Sequence, residues 1–354
     1  MKSNYRYIVK AFMAMAVIAG TTSCDDFLDR EPMSSISPET YYSTAAQLEA
    51  NLNDEYPNVL PSFGQWTYGI FGEDKGTDNQ IEVNANDRYT QDRWKVPHSE
   101  SDNWKFERIY RINFFLSEAL PKFGEDMSGS QNTISGSVAT IKHYIGEMYF
   151  LRAYEYFKKL QLFGDFPIIN QPLADEMEAL REASKRFPRN EVARFIISDL
   201  DKAYAYMSDV DMATTRINKD VAMLVKSRVA LFEATWLQNF KGTAFVPGGE
   251  GWPGASLHNN YQYPSGNIDN EVKYFLEQAV EASKLVADKY KGSLTENTGV
   301  LQQSADDPSN PYFDMFAQED LSDVKEVLLW RQYARGLSTH NINAAAGRGN
   351  YRIG

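Results

Sequence analysis

The chain has 354 residues, 43% of them hydrophobic and 13% aromatic, enough to bury a sizeable core and to exclude a disordered polypeptide. A formal net charge of −12, from 36 Lys+Arg against 48 Asp+Glu, argues against a nucleic-acid partner and against adsorption to anionic lipid by charge alone. The single cysteine, Cys24, can build neither an internal disulfide nor a cysteine-rich zinc site.

The start of the chain reads as an export signal. Lys2, Arg6 and Lys10 are followed by an uncharged apolar run over 11–20, then by Thr21, Thr22 and Ser23 before Cys24. A basic start, an apolar middle and small residues ahead of a processing point define a secretory signal. The run is shorter than the roughly 20 residues needed to span a bilayer. Residues 1–23 are therefore expected to be a signal peptide, with 24–36 a tether. The alternative, a core helix, would have to stop abruptly at Cys24-Asp25-Asp26.

Helical periodicity dominates from Ser37 onward. Ser37-Pro38-Glu39 predicts a helix start, and Pro57 is expected to end that helix at about Tyr56. Residues 57–99 form a long Gly/Asn/Asp-rich excursion that carries Trp66, Tyr68, Phe71, Tyr89 and Trp94. Helix resumes at about 101–120, breaks at 124–137, and returns over about 138–162. That last helix has two apolar stripes, one through Phe150, Tyr154 and Phe157 and one through Ile145, Tyr149 and Tyr156, so it should lie between neighbours. Phe163-Gly164-Asp165-Phe166-Pro167 stops it. Further helices are expected at about 190–207, 218–238 and 270–289, separated by a second Gly/Pro/aromatic insertion at 241–268. Val324 to Trp330 reads as a buried strand. The expected class is mostly α, a tetratricopeptide-like helical scaffold over 37–354 with two long aromatic-rich loop insertions.

No catalytic motif stands out. His98, His143, His258 and His340 do not pair at metal spacing, and a metal site is left unassigned. Gly249 to Gly254 matches G-x-G-x-x-G formally, but Trp252-Pro253 sits where a phosphate-binding helix should begin, so no dinucleotide or other cofactor is expected. Arg152 is expected to be a buried, paired structural charge. Trp104 and Trp236 fall at helical positions and are read as core. Trp66, Trp94, Trp252 and Tyr261, ahead of Tyr68 and Tyr263, are candidate ligand-binding aromatics, because flat rings in loops suit the C–H faces of sugar rings. The competing reading is that these side chains pin long loops to the scaffold.

Four segments resemble the SusD/RagB family. They are the start Cys24-Asp25-Asp26-Phe27-Leu28-Asp29; the aromatic helix and turn EMYFLRAYEYFKKLQLFGDFPII from Glu147 to Ile169; Ile196 to Ala203; and Arg216-Ile217-Asn218-Lys219 running into Lys226 to Leu231. The resemblance implies that Cys24 is the acylated first residue of a mature lipoprotein, although Thr21 stands where the lipobox usually has an aliphatic residue. It implies an outer-membrane protein facing outward that binds oligo- or polysaccharide and delivers it to a TonB-dependent SusC-like transporter, without enzymatic activity. Relatives of this type continue further, so a chain stopping at Gly354 reads as C-terminally truncated. A secreted glycoside hydrolase and a helical-repeat adaptor for peptide or protein are the alternatives.

Overall fold

The computed structural model describes residues 41–61, 103–124, 126–208, 212–301, 304 and 306–333, together with the backbone of 80–82 and 351–353. The expected signal peptide, tether and helix start at Ser37 lie outside these residues, as does nearly all of the first insertion.

The architecture is mostly helical. Five long helices build the core around a central one. α1 (Ala45–Val59), α2 (Glu107–Phe123) and α3 (Val138–Phe163) come first, followed by the short α4 (Met177–Ala183). α5 (Arg189–Tyr206), α6 (Lys219–Asn239), α7 (Ile268–Tyr290) and the short α8 (Pro311–Phe316) complete the set. One antiparallel pair, β1 (Gln80–Glu82) with β2 (Tyr351–Ile353), places Ile81 opposite Arg352. α1 and α2 both pack on α3, and from α3 onward each long helix packs on the next long one, α3 on α5, α5 on α6 and α6 on α7. This serial stacking of helices bears out the tetratricopeptide-like reading.

α3 is buried on two sides, as its two stripes predict. Ile145, Phe150, Ala153, Tyr156 and Leu160 are all at most 1% exposed. Gly146 permits the close approach to α5: a side chain there would meet the backbone nitrogen of Met207 at 2.8 Å and the carbonyl of Ala203 at 2.9 Å. The helix begins at Ser137, whose hydroxyl accepts from the Thr140 amide, and ends at Gly164 with φ of 68°, a left-handed conformation that favours glycine.

Buried charges cross-brace this core. On α3, Arg152 is 3% exposed and forks onto Asp199 of α5, with Nε–Oδ2 at 2.6 Å and Nη2–Oδ1 at 2.8 Å. Its Nη1 donates to Asn113 Oδ1 of α2 and to the carbonyl of Asn170. One guanidinium thus ties three segments together, and the structural role expected for it holds. Glu147, fully buried, accepts from Arg216 and from the Tyr56 hydroxyl, which joins α1 and α3 to the turn before α6.

Three expectations need correction. α1 continues through Pro57 to Val59, because Leu48, Leu52 and Val59 are buried and Tyr56 is anchored on Glu147. Proline close to a helix end forfeits one backbone bond, and the burial around it outweighs that loss. Its start is capped by Thr44 in a reciprocal pair with Gln47. Residues 324–330 are irregular and half-exposed rather than a buried strand. They have no ladder partner among the described residues, and Trp330 is instead fastened to Thr214 by its backbone and its indole N–H. Trp104 lies ahead of α2 rather than within a helix, half-buried against Phe163 and Phe166 with ring centroids 4.9 and 4.8 Å apart.

Candidate functional site

The end of α3, the start of α5, the end of α6 and the second insertion meet around one cleft of about 480 Å³. The Leu-Phe-Gly-Asp turn supplies its floor. Asp165 Oδ1 accepts from the Arg189 amide at 2.8 Å, which caps the first turn of α5 from a distance, since Pro188 cannot cap it with its own side chain. Asp165 Oδ2 accepts from the Trp252 indole N–H at 2.8 Å. Burial pushes the Asp165 carboxyl above the usual carboxylate range, against the opposing pull of these two donors.

Arg189 forms one wall. It is 4% exposed, and its Nε and Nη2 face the carboxylate of Glu233 on α6, with the closest approach at 2.9 Å. Its guanidinium lies 4.1 Å from the ring centroid of Trp236. Glu233 is fully buried, and desolvation holds its carboxyl above the ordinary range even with Arg189 beside it. The apolar rim consists of Phe245, 61% exposed, with Leu162 and Leu257. Arg186 stands at the mouth with its guanidinium 4.6 Å from the Trp104 ring.

The four ligand-binding candidates fare differently. Trp66 and Trp94 lie outside the described residues, as do Cys24, Tyr68 and His98. Trp252 does reach the cleft wall, but it is 5% exposed, with its indole N–H consumed by Asp165, so it is not the open platform expected. Tyr261 is half-buried and does not line the cleft; its hydroxyl donates to Asn190 Oδ1, and burial raises its pKa. Tyr263 donates to the carbonyl of Pro247. His258 sits between Trp252 and Arg186, its ring 6.0 Å from the indole and its Nε2 2.8 Å from the Arg186 carbonyl. The second insertion is therefore pinned onto the scaffold, as the competing reading had it, and the pins bring its backbone and Phe245 to the cleft.

Trp236, read as core, is half-buried and lines the cleft. Arg186, Arg189 and Asp165 were missed altogether. The signal was present: two arginines flank Phe187-Pro188 at the start of a helix, and an acid ends the glycine turn that stops α3. Asp165 is the one carboxylate among the described lining residues. Nonpolar walls with a few fixed donors suit binding of a polar, flat-sided ligand. No cluster of metal-ligating side chains occurs among the described residues.

A family model for SusD-like proteins, described as "Starch-binding associating with outer membrane", matches residues 26–231, more than half of the chain. The chain belongs to the SusD-like family. Two curated relatives from Formosa agariphila, SusD-like proteins P2 and P25, are each 25% identical, over 253 and 233 residues. These matches cover 68% and 60% of this chain but 46% and 41% of the relatives, so this SusD-like chain spans less than half of their length. Among solved structures, a SusD-like protein from Bacteroides fragilis is 21% identical, with a TM-score of 0.41 over 60% of this chain and 39% of its own. A SusD-like carbohydrate binding protein from Bacteroides vulgatus is 14% identical, with a TM-score of 0.42 over 73% and 47%.

Proposed function

We propose that this SusD-like protein is a surface lipoprotein that captures oligo- or polysaccharide and hands it to a TonB-dependent SusC-like transporter without cleaving it. The family match carries the reading: it begins two residues after Cys24 and belongs to a family described as starch-binding and outer-membrane associated. The basic, apolar and small-residue order before Cys24 supports export, removal of residues 1–23 and acylation of Cys24 at the mature N-terminus. No helix among the described residues is long and apolar enough to cross a membrane. Residues 24–36 then act as tether and 37–354 as the helical binding body. The cleft at the Leu-Phe-Gly-Asp turn is the candidate capture site, with apolar walls for ring faces and guanidinium N–H groups for hydroxyls.

The test is incubation of the purified protein with a panel of soluble polysaccharides, following both retention and the release of new reducing ends. Capture predicts that at least one glycan is retained with no reducing ends formed. New reducing ends would move the protein to the glycoside hydrolases. Retention of none would remove the glycan reading.

A further inference from the structure

The two arginines of the cleft each leave part of the guanidinium unused. Arg189 spends Nε and Nη2 on Glu233, while its Nη1 has no hydrogen-bond partner among the described residues and lies on the cleft side, beside Gly164. Arg186 is exposed and has no ion-pair partner among the described residues; its guanidinium lies over the Trp104 ring, and its backbone carbonyl contacts His258 Nε2. By contrast, Arg152 and Arg216 spend all three guanidinium nitrogens on acceptors; Arg194, like Arg189, spends only Nε and Nη2, but it lies outside this cleft. Two positioned guanidinium edges thus open onto one small cavity in a chain whose net charge is −12.

Asp165 and Glu233 formally balance the two guanidinium charges, and Asp165 acts on both arginines through space, but neither acid takes a hydrogen bond from Arg186 or from Arg189 Nη1. Glu233 lies behind Arg189, on the side away from its free edge, and it fixes the guanidinium in place. Both oxygens of Asp165 are committed, one to the Arg189 amide and one to the Trp252 indole. What faces the cavity is therefore a set of N–H donors already oriented by stacking and ion pairing, so little ordering remains to be done when a ligand arrives. Neutral hydroxyls accept from such donors, but charge-assisted bonds from guanidinium to an oxyanion are roughly twice as strong, and the planar fork matches a carboxylate or ester sulfate.

We infer that the cleft between the Leu-Phe-Gly-Asp turn and the second insertion selects an anionic sugar residue, whose carboxylate or sulfate ester is taken by Arg186 and the free Nη1 of Arg189 while the ring packs against Phe245 and Trp236. This rests on the reading of the cleft as a glycan site. The shared chemistry is an oxyanion on a sugar ring; a uronic acid and a sulfated sugar are its two sources.

Calorimetry with matched pairs tests the inference: oligogalacturonate against its methyl ester, and chondroitin sulfate oligosaccharide against its desulfated form, with maltooligosaccharide as the uncharged reference. At least one anionic probe should bind tenfold or more tightly than its neutralised partner, and added salt should erode that difference. Arg186→Ala should reduce the preference at least fivefold, and Arg186→Lys should restore part of it. Arg186 is exposed, so the variant is expected to fold, and an unchanged melting temperature verifies this. Binding of neutral and anionic partners with equal affinity overturns the inference and leaves glycan capture standing, as does a preference that survives Arg186→Ala. If no saccharide in the set binds, the capture reading itself falls and this inference falls with it.

Discussion

Replacing Asp199 with alanine removes the counter-ion of the most enclosed cation in the core. Arg152 would keep its bonds to Asn113 and Asn170 but lose both arms of its fork, at 2.6 and 2.8 Å, and remain buried between the rings of Tyr149 and Phe195. Lys202 contacts the same carboxylate at 3.7 Å from an exposed position, so its loss adds little. Breaking a buried pair by deleting one partner costs about 3–5 kcal/mol, because an uncompensated charge is left inside. With an unfolding entropy of roughly 2.1 cal/mol/K per residue, a chain of this size shifts by about 1.3 °C per kcal/mol, so the melting temperature should fall by about 4–7 °C. Thermal unfolding followed by circular dichroism at neutral pH reads this directly. The charge-free double variant Arg152→Met with Asp199→Leu should recover much of the loss, because well-packed apolar replacements of buried pairs are often close to neutral. A single variant that melts with the wild type, or a double variant no better than the single, would refute the uncompensated-charge account.

Phe157→Ala, which empties a site 4% exposed and facing Phe232 at 5.7 Å, should cost about 3–5 kcal/mol, visible as a clearly lowered denaturation midpoint; an unchanged midpoint would take Phe157 out of the core. Asp165→Asn tests the perturbed carboxyl through pH. Because burial raises the folded pKa above the 3.8 of the free side chain, wild type should be best off relative to the variant below about that pH, and its advantage should shrink as pH rises through the folded value. An advantage that grows with pH over this window contradicts the direction of the shift. Cys24→Ser should release the protein from the detergent-soluble membrane fraction; membrane fractionation identical to wild type would show that Cys24 is not the anchor.

The helices were legible in the sequence because each carries its own boundary chemistry and its own apolar stripe. Ser137 and Gly164 bracket α3, and the stripes through Tyr149 and Phe157 required covering on two sides. Asn218 opens α6 by accepting from the amides of Asp220 and Val221, another local signal. Boundaries slipped where tertiary contacts overrode local rules, as at Pro57, held helical by burial on either side of it. The run 324–330 failed for a complementary reason: apolar residues in sequence are not a strand unless a neighbour offers a ladder. The family resemblance, too, was readable from order and spacing over roughly residues 24–335, of which the family match covers 26–231.

The site was not readable in that way. A loop tryptophan looks the same in sequence whether it offers its face to a ligand or spends its indole N–H on Asp165, 87 positions away. Arg186 and Arg189 are two charges among 36 until folding sets one on Trp104 and the other between Glu233 and Trp236. Local periodicity determines which segments are helical and which faces must be covered, because those depend on neighbours within a few positions. Which polar edges are left unspent at the end depends on pairings across 44 to 87 residues of chain, and the packing of α3, α5, α6 and the second insertion decided it.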